Sequence, residues 1–444
     1  EDDFELQPWG DMPRALRGTL YRNGANPQFE PRERDYHWFS GDGMIHAFAV
    51  EDGQVRYRNR WVRTPKWLEE NAAGRALYGG FNPMEAEPEV RGKDNGGVAN
   101  TNIFAHAGRL LALEEGHPPI EIAPGTLETL GAYDLGGKVT AHPKLDPATG
   151  ELVFFAYMDE PGFFSTKVSW GVADAAGRLV RRETLETPYC SMIHDFMVTE
   201  RHVLLPVLPL TGCIQRAMKG LPAFAWDPTQ PAKVAVIPRD RGAAGVRWFD
   251  TDACYVFHVM NAWEEGGRIL ADVMRYDSAP LFPLADGRRG DRAAAHLVRW
   301  TFDLEGGSDA IREERLDDLA GEFPRFDERL SGRPYRHGWF AGSVRRPGTA
   351  VADALAHIDL ATGRRTDFIL PEGDYTSEPV FVPASPDAAE GDGWLLAVAH
   401  RGRENLAELL VFDAQDLAAG PRAGARLPRR VPHGFHGNWV AASA

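Results

Sequence analysis

Four histidines stand alone among apolar or small neighbours in strand-like stretches: His142 in VTAHPKLDP, His194 in YCSMIHDFMV, His258 in CYVFHVMNAW and His436 in HGFHGNWV. A buried neutral imidazole must find a hydrogen-bond partner or a metal, because an unsatisfied buried polar group costs about 1–3 kcal/mol. The intervals between the four are 52, 64 and 178 residues. Repeats of about 63 residues would make these intervals one, one and three repeats long. All four rings would then face one axis, and imidazole nitrogens there suit a divalent transition metal. On spacing alone, four separate core histidines are the favoured reading over such a site. His106, His117, His202, His296 and His357 read as surface or hydrogen-bonded groups, and His433 as a surface or capping residue.

Such a cluster needs many short elements converging on one point. Strand-like runs recur through the chain: GRLLALEE (108–115), ELVFFAYM (151–158), RHVLLPVL (201–208), CYVFHVMNAW (254–263), RILADVMRY (268–276), HLVRWTFDL (296–304), GWLLAVAH (393–400) and AELLVFDA (407–414). Turn signals fall between them, as in VEDGQV, DPATGEL and DLATGRR, where glycine takes positive φ at little cost. Helical patterns are few. TPKWLEENAAGRALYGG (64–80) has Thr64 as cap and Pro65 in its first turn, and RLDDLAGEF (315–323) is the second expected helix. No linker or composition break divides the chain, so residues 1–444 are expected to form a single all-β domain, closed radially so that few strand edges stay open.

Composition narrows the function classes. The net charge of −15 carries no basic stripe and argues against nucleic-acid binding. Cys190, Cys213 and Cys254 form no CxxC pair, and a disulfide framework would use more. With no secretory leader at Glu1 and no run long enough for a membrane span, the expectation is a cytoplasmic protein. The stretch CIQRAMKGLPAFAW (213–226) mixes apolar and basic residues and reads either as peripheral membrane contact or as a buried lid. No GxGxxG between strand and helix, and no P-loop, points to a nucleotide cofactor.

The motifs GTLYRNGANPQFEP, HWFSGDGMIHAF, TAHPKLDP, SMIHDF, FHVMNAWEE, GEFPRFDERLSGRPYRHGW, SEPVFVP and FHGNW run in order across nearly the whole chain. In these the sequence resembles the carotenoid cleavage oxygenases, including their bacterial stilbene-cleaving branch. The resemblance implies a seven-bladed β-propeller with a loop and helix cap over an axial metal site. It implies Fe(II) held by His142, His194, His258 and His436, with Glu115, Glu322 and Glu378 hydrogen-bonded to the far nitrogens of three of them. The implied reaction inserts oxygen from O2 across a conjugated C=C bond and yields two carbonyl products without an external reductant. Phe39, Phe81, Thr101, Glu114, Phe196 and Trp263 are the expected substrate contacts, with Phe340 a further aromatic candidate.

The chain departs from the stilbene-cleaving branch at two positions. Where that branch carries a lysine before the first of the glutamates, this chain has Glu114, and at the position of its tyrosine it has Phe81. A carboxylate accepts a hydrogen bond from a phenol but does not favour a phenolate. The expected substrate is an aryl alkene, a stilbene or phenylpropenoid, with an apocarotenoid as the alternative. A catalytically silent ligand-binding propeller is the remote third reading; it would lack one of the four histidines or three glutamates, and none is missing.

Overall fold

The computed structural model describes residues 1–32, 36–80, 85–159, 164–290, 292–349 and 351–442. The strand-like runs fold as strands. ELVFFAYM gives Leu152–Tyr157, CYVFHVMNAW gives Tyr255–Glu265 and GWLLAVAH gives Gly393–Arg401. Each lies inside or at the edge of an antiparallel meander, so short turns suffice to connect neighbours.

Among the described residues, five separate four-stranded sheets follow one another. Their first strands are Asn102–His106, Lys144–Leu145, Met197–Val198, Tyr255–Glu265 and Gly321–Phe326. A further ten-stranded sheet joins the two ends of the chain. In it Asp3–Leu6 pairs with Val55–Arg58 while Gln7–Gly10 pairs with Ala423–Arg426. One short strand thus belongs to two ladders. Val380–Pro383 and Gly437–Ala441 are edge strands of this sheet.

The edge strands meet one another. Met197–Val198 packs on Tyr255–Glu265, which packs on Gly321–Phe326, then Val380–Pro383, then Gly437–Ala441, then Asn102–His106. The architecture is all-β and propeller-like, with sheets packed face to face. The central strands are buried on both faces, and Trp170, Trp300 and Trp339 are fully enclosed between sheets. Burying such side chains contributes roughly 2–3 kcal/mol each.

Two expectations need correction. The helix at 64–80 is shorter, Pro65–Ala73: Thr64 caps it by accepting from Trp67 N at 3.3 Å, and Gly74 ends it at φ 68. No helix forms over 315–323. Arg312–Arg315 pairs with Val298–Thr301, Asp317 Oδ1 accepts Leu319 N at 2.7 Å in a tight turn, and Gly321 opens the next strand. The cross-strand partners and the Asp317 turn outcompete an apolar pattern too short to nucleate a helix. The segment 213–226 holds the helix Ile214–Met218 and the strand Phe224–Trp226. Among the described residues no helix is long and apolar enough to cross a membrane.

Candidate metal centre

The edge strands bring the four histidines together. His142 precedes Lys144–Leu145, His194 precedes Met197–Val198, His258 lies within Tyr255–Glu265 and His436 directly precedes Gly437–Ala441. At His258 the pairing register slips between Val256 and Val259, a bulge that re-aims the side chain. Asp195 ties two of the ligand segments together by accepting Val259 N at 2.9 Å, and Lys144 balances its charge at 2.7 Å.

All four rings are buried, and their nitrogens lie within 4.8 Å of one another. Nε2 of His142 is 3.1 Å from that of His194, His194 is 3.2 Å from His258, and His258 is 3.1 Å from His436. Three outer nitrogens point at carboxylates. His194 Nδ1 meets Glu115, His258 Nδ1 meets Glu322, and His436 Nδ1 meets Glu378 at 2.9 Å. Each carboxylate is itself held. Glu115 accepts Tyr157 Oη–H at 2.6 Å, Glu322 accepts Phe323 N at 2.7 Å, and Glu378 accepts Gly437 N at 2.9 Å with Arg325 at 3.2 Å.

This donor set fits a divalent metal. A carboxylate on Nδ1 fixes the N–H there and leaves the Nε2 lone pair facing inward. Three such lone pairs beside the His142 ring cannot all hydrogen-bond to one another, and a shared cation would satisfy them together. Imidazole nitrogens 3.1–3.2 Å apart could share one divalent transition metal.

The electrostatics agree at two of the four rings. Burial, reinforced by the neighbouring imidazoles, holds His142 well below the usual histidine range. Burial also lowers His436, to about 4, against the opposing pull of Glu378. Both rings are therefore neutral at pH 7. At His258 burial is outweighed by Glu322, and the ring stays above its ordinary value. Burial raises Glu378, but Arg325 and His436 outweigh it and bring the carboxyl down to about 2.

The centre opens on a cavity of about 2090 Å³, in whose wall His194, His258 and His436 stand. Phe39, Thr101 and Glu114 also line it. Phe196 and Trp263 do not: Phe196 packs at 4.9 Å on Phe155, and Trp263 at 5.6 Å on Tyr335 with Arg299 over its ring. Their aromatic surface fills the spaces between sheets, and Phe340 is fully buried there too. Phe81 lies outside the described residues.

Sequence reasoning missed Phe323 and Phe257, which line the cavity beside the ligands. Phe323 stacks on His258 at 5.2 Å and meets His436 at 5.2 Å, with its backbone at φ 54. A non-glycine residue in that region stores strain of about 1–3 kcal/mol, which the surrounding contacts must sustain. Its neighbour Glu322 sits in the same register slip, between Glu322 and Arg325. The phenylalanine in GEFP was the only signal in the sequence.

The family described as retinal pigment epithelial membrane protein matches residues 1–441. The chain is 37% identical over 458 residues to isoeugenol monooxygenase of Pseudomonas nitroreducens, covering 99% of this chain and 95% of that protein. It is 38% identical over 467 residues to lignostilbene-alpha,beta-dioxygenase isozyme III of Sphingomonas paucimobilis, covering 100% and 94%. Among solved structures, lignostilbene dioxygenase of Pseudomonas brassicacearum superposes with a TM-score of 0.95 at 35% identity, covering 100% of this chain and 96% of that one. Cobalt-substituted apocarotenoid oxygenase of Synechocystis superposes with a TM-score of 0.88 at 31% identity, covering 99% and 96%.

Proposed function

Because the chain belongs to the carotenoid cleavage oxygenase family, we propose that it is an iron(II)-dependent dioxygenase that cleaves a conjugated C=C bond of an aryl alkene. The observation that carries this reading is the convergence of four Nε2 atoms, backed by three carboxylates, at the wall of a large cavity. Iron(II) held by His142, His194, His258 and His436 would activate O2 for addition across the double bond, which parts into two carbonyl groups.

The chain's own residues position and exclude. Glu115, Glu322 and Glu378 keep three imidazoles in the ligating tautomer, and Arg325 keeps Glu378 ionised while helping to hold it in place. Phe39, Phe257 and Phe323 give the alkene an apolar face and keep water from it. Thr101 narrows the approach; its carbonyl accepts His436 N at 3.1 Å, so the two move together. An apocarotenoid is the second reading. It is favoured by the cavity of about 2090 Å³, because ligand pockets of about 300–1,000 Å³ already hold drug-sized molecules.

The ten-stranded sheet reads as two blades joined by Asp3–Gly10, so that 1–444 forms one seven-bladed unit. Free Cys190, Cys213 and Cys254 support a cytoplasmic setting. Met218, 81% exposed, and Leu281, 52% exposed, rim the cavity and support peripheral contact with a lipid surface that stores an apolar substrate.

Protein purified without chelator should contain about one iron per chain. His258→Ala should lose both iron and turnover, and full activity in that variant would refute the site. Incubation in air with a stilbene, isoeugenol and an apocarotenal, followed by mass spectrometry of the aldehydes, identifies the substrate class. Label from isotopic O2 in both products is expected for dioxygenation; label in only one would replace it with monooxygenation.

A further inference from the structure

One buried cation lies away from the substrate cavity without a counter-ion. Arg22 belongs to the GTLYRNGANPQFEP motif, on the strand Gly18–Ala25, and is 7% exposed. Among the described residues it forms no ion pair, and its Nε has no hydrogen-bond partner. The guanidinium is closely enclosed: an added Cβ at Gly434 would meet Nη2 at 3.1 Å. Burial lowers Arg22 to about 10, partly offset by Glu378, which leaves it charged at pH 7.

The carboxylates that act on this region are committed elsewhere. Glu378 is held by Arg325 at 3.2 Å, and by His436 Nδ1 and Gly437 N, both at 2.9 Å. Asp374, which acts on the neighbouring His400, is bound to Arg401 at 2.9 Å and accepts Gly402 N at 3.0 Å.

Arg22 lines a small cavity of about 20 Å³ together with Tyr375, Ser377, His400 and His433. This cavity shares no lining residue with the large one beside the metal centre. His400 brings a second buried nitrogen without a partner, Nδ1. Its ring stacks on Tyr375 at 5.6 Å and lies 6.0 Å from that of His433. Ser377 Oγ is already used, accepting Val398 N at 2.9 Å and donating to the Glu378 carbonyl at 3.2 Å. The surroundings are positive. After burial, Arg22, His400 and Arg430 hold His433 down, to about 4, and Arg430 also lowers His400.

A buried guanidinium without a paired anion is strongly disfavoured. A water at this point accepts from Nε but leaves the charge unbalanced. A space of this size takes about one water-sized particle, which suits a monatomic anion and excludes a phosphate.

We propose that the cavity beside Arg22 binds a single halide ion, chloride in the cell, which accepts hydrogen bonds from Arg22 Nε and His400 Nδ1. The site takes no part in the reaction assigned above. Arg22 pairs in register with Gly437, one residue from His436, so the halide secures the strand pairing beside the metal centre.

Two measurements on the iron-loaded full chain test this. In crystals soaked in sodium bromide, diffraction recorded at the bromine absorption edge should show an anomalous peak within hydrogen-bonding reach of Arg22 Nε. In solution, the melting temperature should rise by about 2–3 °C from sodium gluconate to saturating sodium chloride at equal ionic strength. Sodium bromide should reproduce the rise. Arg22→Met should abolish it, and His400→Leu should raise the chloride concentration needed for half of it about 10-fold. Should Arg22→Met not fold, the bromide map and His400→Leu decide. Bromide peaks confined to exposed arginines, with a water at Arg22, overturn the inference. So does a melting temperature that is the same in gluconate and chloride, or a chloride effect that survives Arg22→Met. These outcomes leave the alkene-cleaving reading standing, since iron content and product analysis test that separately.

Discussion

At the scale of single residues, the centre depends on which nitrogen of each histidine carries the hydrogen. Glu378 is the most tightly held of the three carboxylates, with His436, Gly437 and Arg325 all in contact. Glu378→Gln keeps the shape but removes the charge that fixes the His436 tautomer. Iron affinity should fall about 10- to 100-fold, measured by competition with a chromophoric chelator, while the melting temperature of the iron-free protein changes little. Unchanged affinity would mean that the carboxylate serves packing alone. The four histidines that cluster were legible because their motifs are local. Phe323 was not, since its role comes from a positive φ and from stacking across two edge strands, neither of which leaves a pattern. Phe196 and Trp263 misled for the converse reason: an aromatic beside a ligand motif looks the same whether it faces a cavity or the space between sheets.

At the scale of elements, the ligand-bearing strand Tyr255–Glu265 is anchored at its far end as well as at its bulge. Glu264 reaches the adjacent loop, accepting Thr199 Oγ1–H at 2.5 Å and Arg201 N at 3.1 Å, and lies 2.9 Å from His202 Nδ1. Burial alone would raise this carboxyl, yet His202, Thr199 and Arg201 hold it at about 2, below the ordinary 4.5. A depressed carboxyl stabilises the fold fully above its unfolded value and loses that contribution as pH falls through the folded value. Between about pH 5 and pH 2 the wild type should therefore lose stability more steeply than Glu264→Gln, as read from melting temperatures across that range. Parallel curves would dismiss the anchor. The strands themselves were readable from apolar runs and turn glycines. The false helix at 315–323 was not, because the pairing of Arg312–Arg315 with Val298–Thr301 before it and of Gly321 and Glu322 with Gly342 and Ala341 at its end are contacts between segments that no local window contains.

At the scale of the whole molecule, the four-histidine cluster depends on the sheet that joins the two ends of the chain, in which Asp3–Gly10 and the pairing of Gly437–Ala441 with Gly18–Arg22 both bridge them. Asp3–Gly10 spans the ladder to Val55–Arg58 and the ladder to Ala423–Arg426. Leu6 is buried in the cluster between these ladders, Trp9 Nε1 donates to Glu408 at 2.7 Å, and Asp3 pairs with Arg56 and Arg58. Gly10, at φ 74, lies so close to Arg422 that an added Cβ would meet its carbonyl oxygen at 2.3 Å. Removing residues 1–10 forfeits both ladders and exposes two unpaired edges, at a cost of several kcal/mol. His436 sits beside Gly437–Ala441, which pairs with Gly18–Arg22 in the sheet that would open. The truncated protein should therefore melt about 10 °C or more below the full chain and lose iron faster to a chelator. Truncation of Glu1 and Asp2 alone should change far less, since neither lies within the strand. If the ten-residue deletion kept its melting temperature and its iron, the sheets would be held by face-to-face packing alone, and the joining strand would have no part in keeping the four imidazoles on one axis.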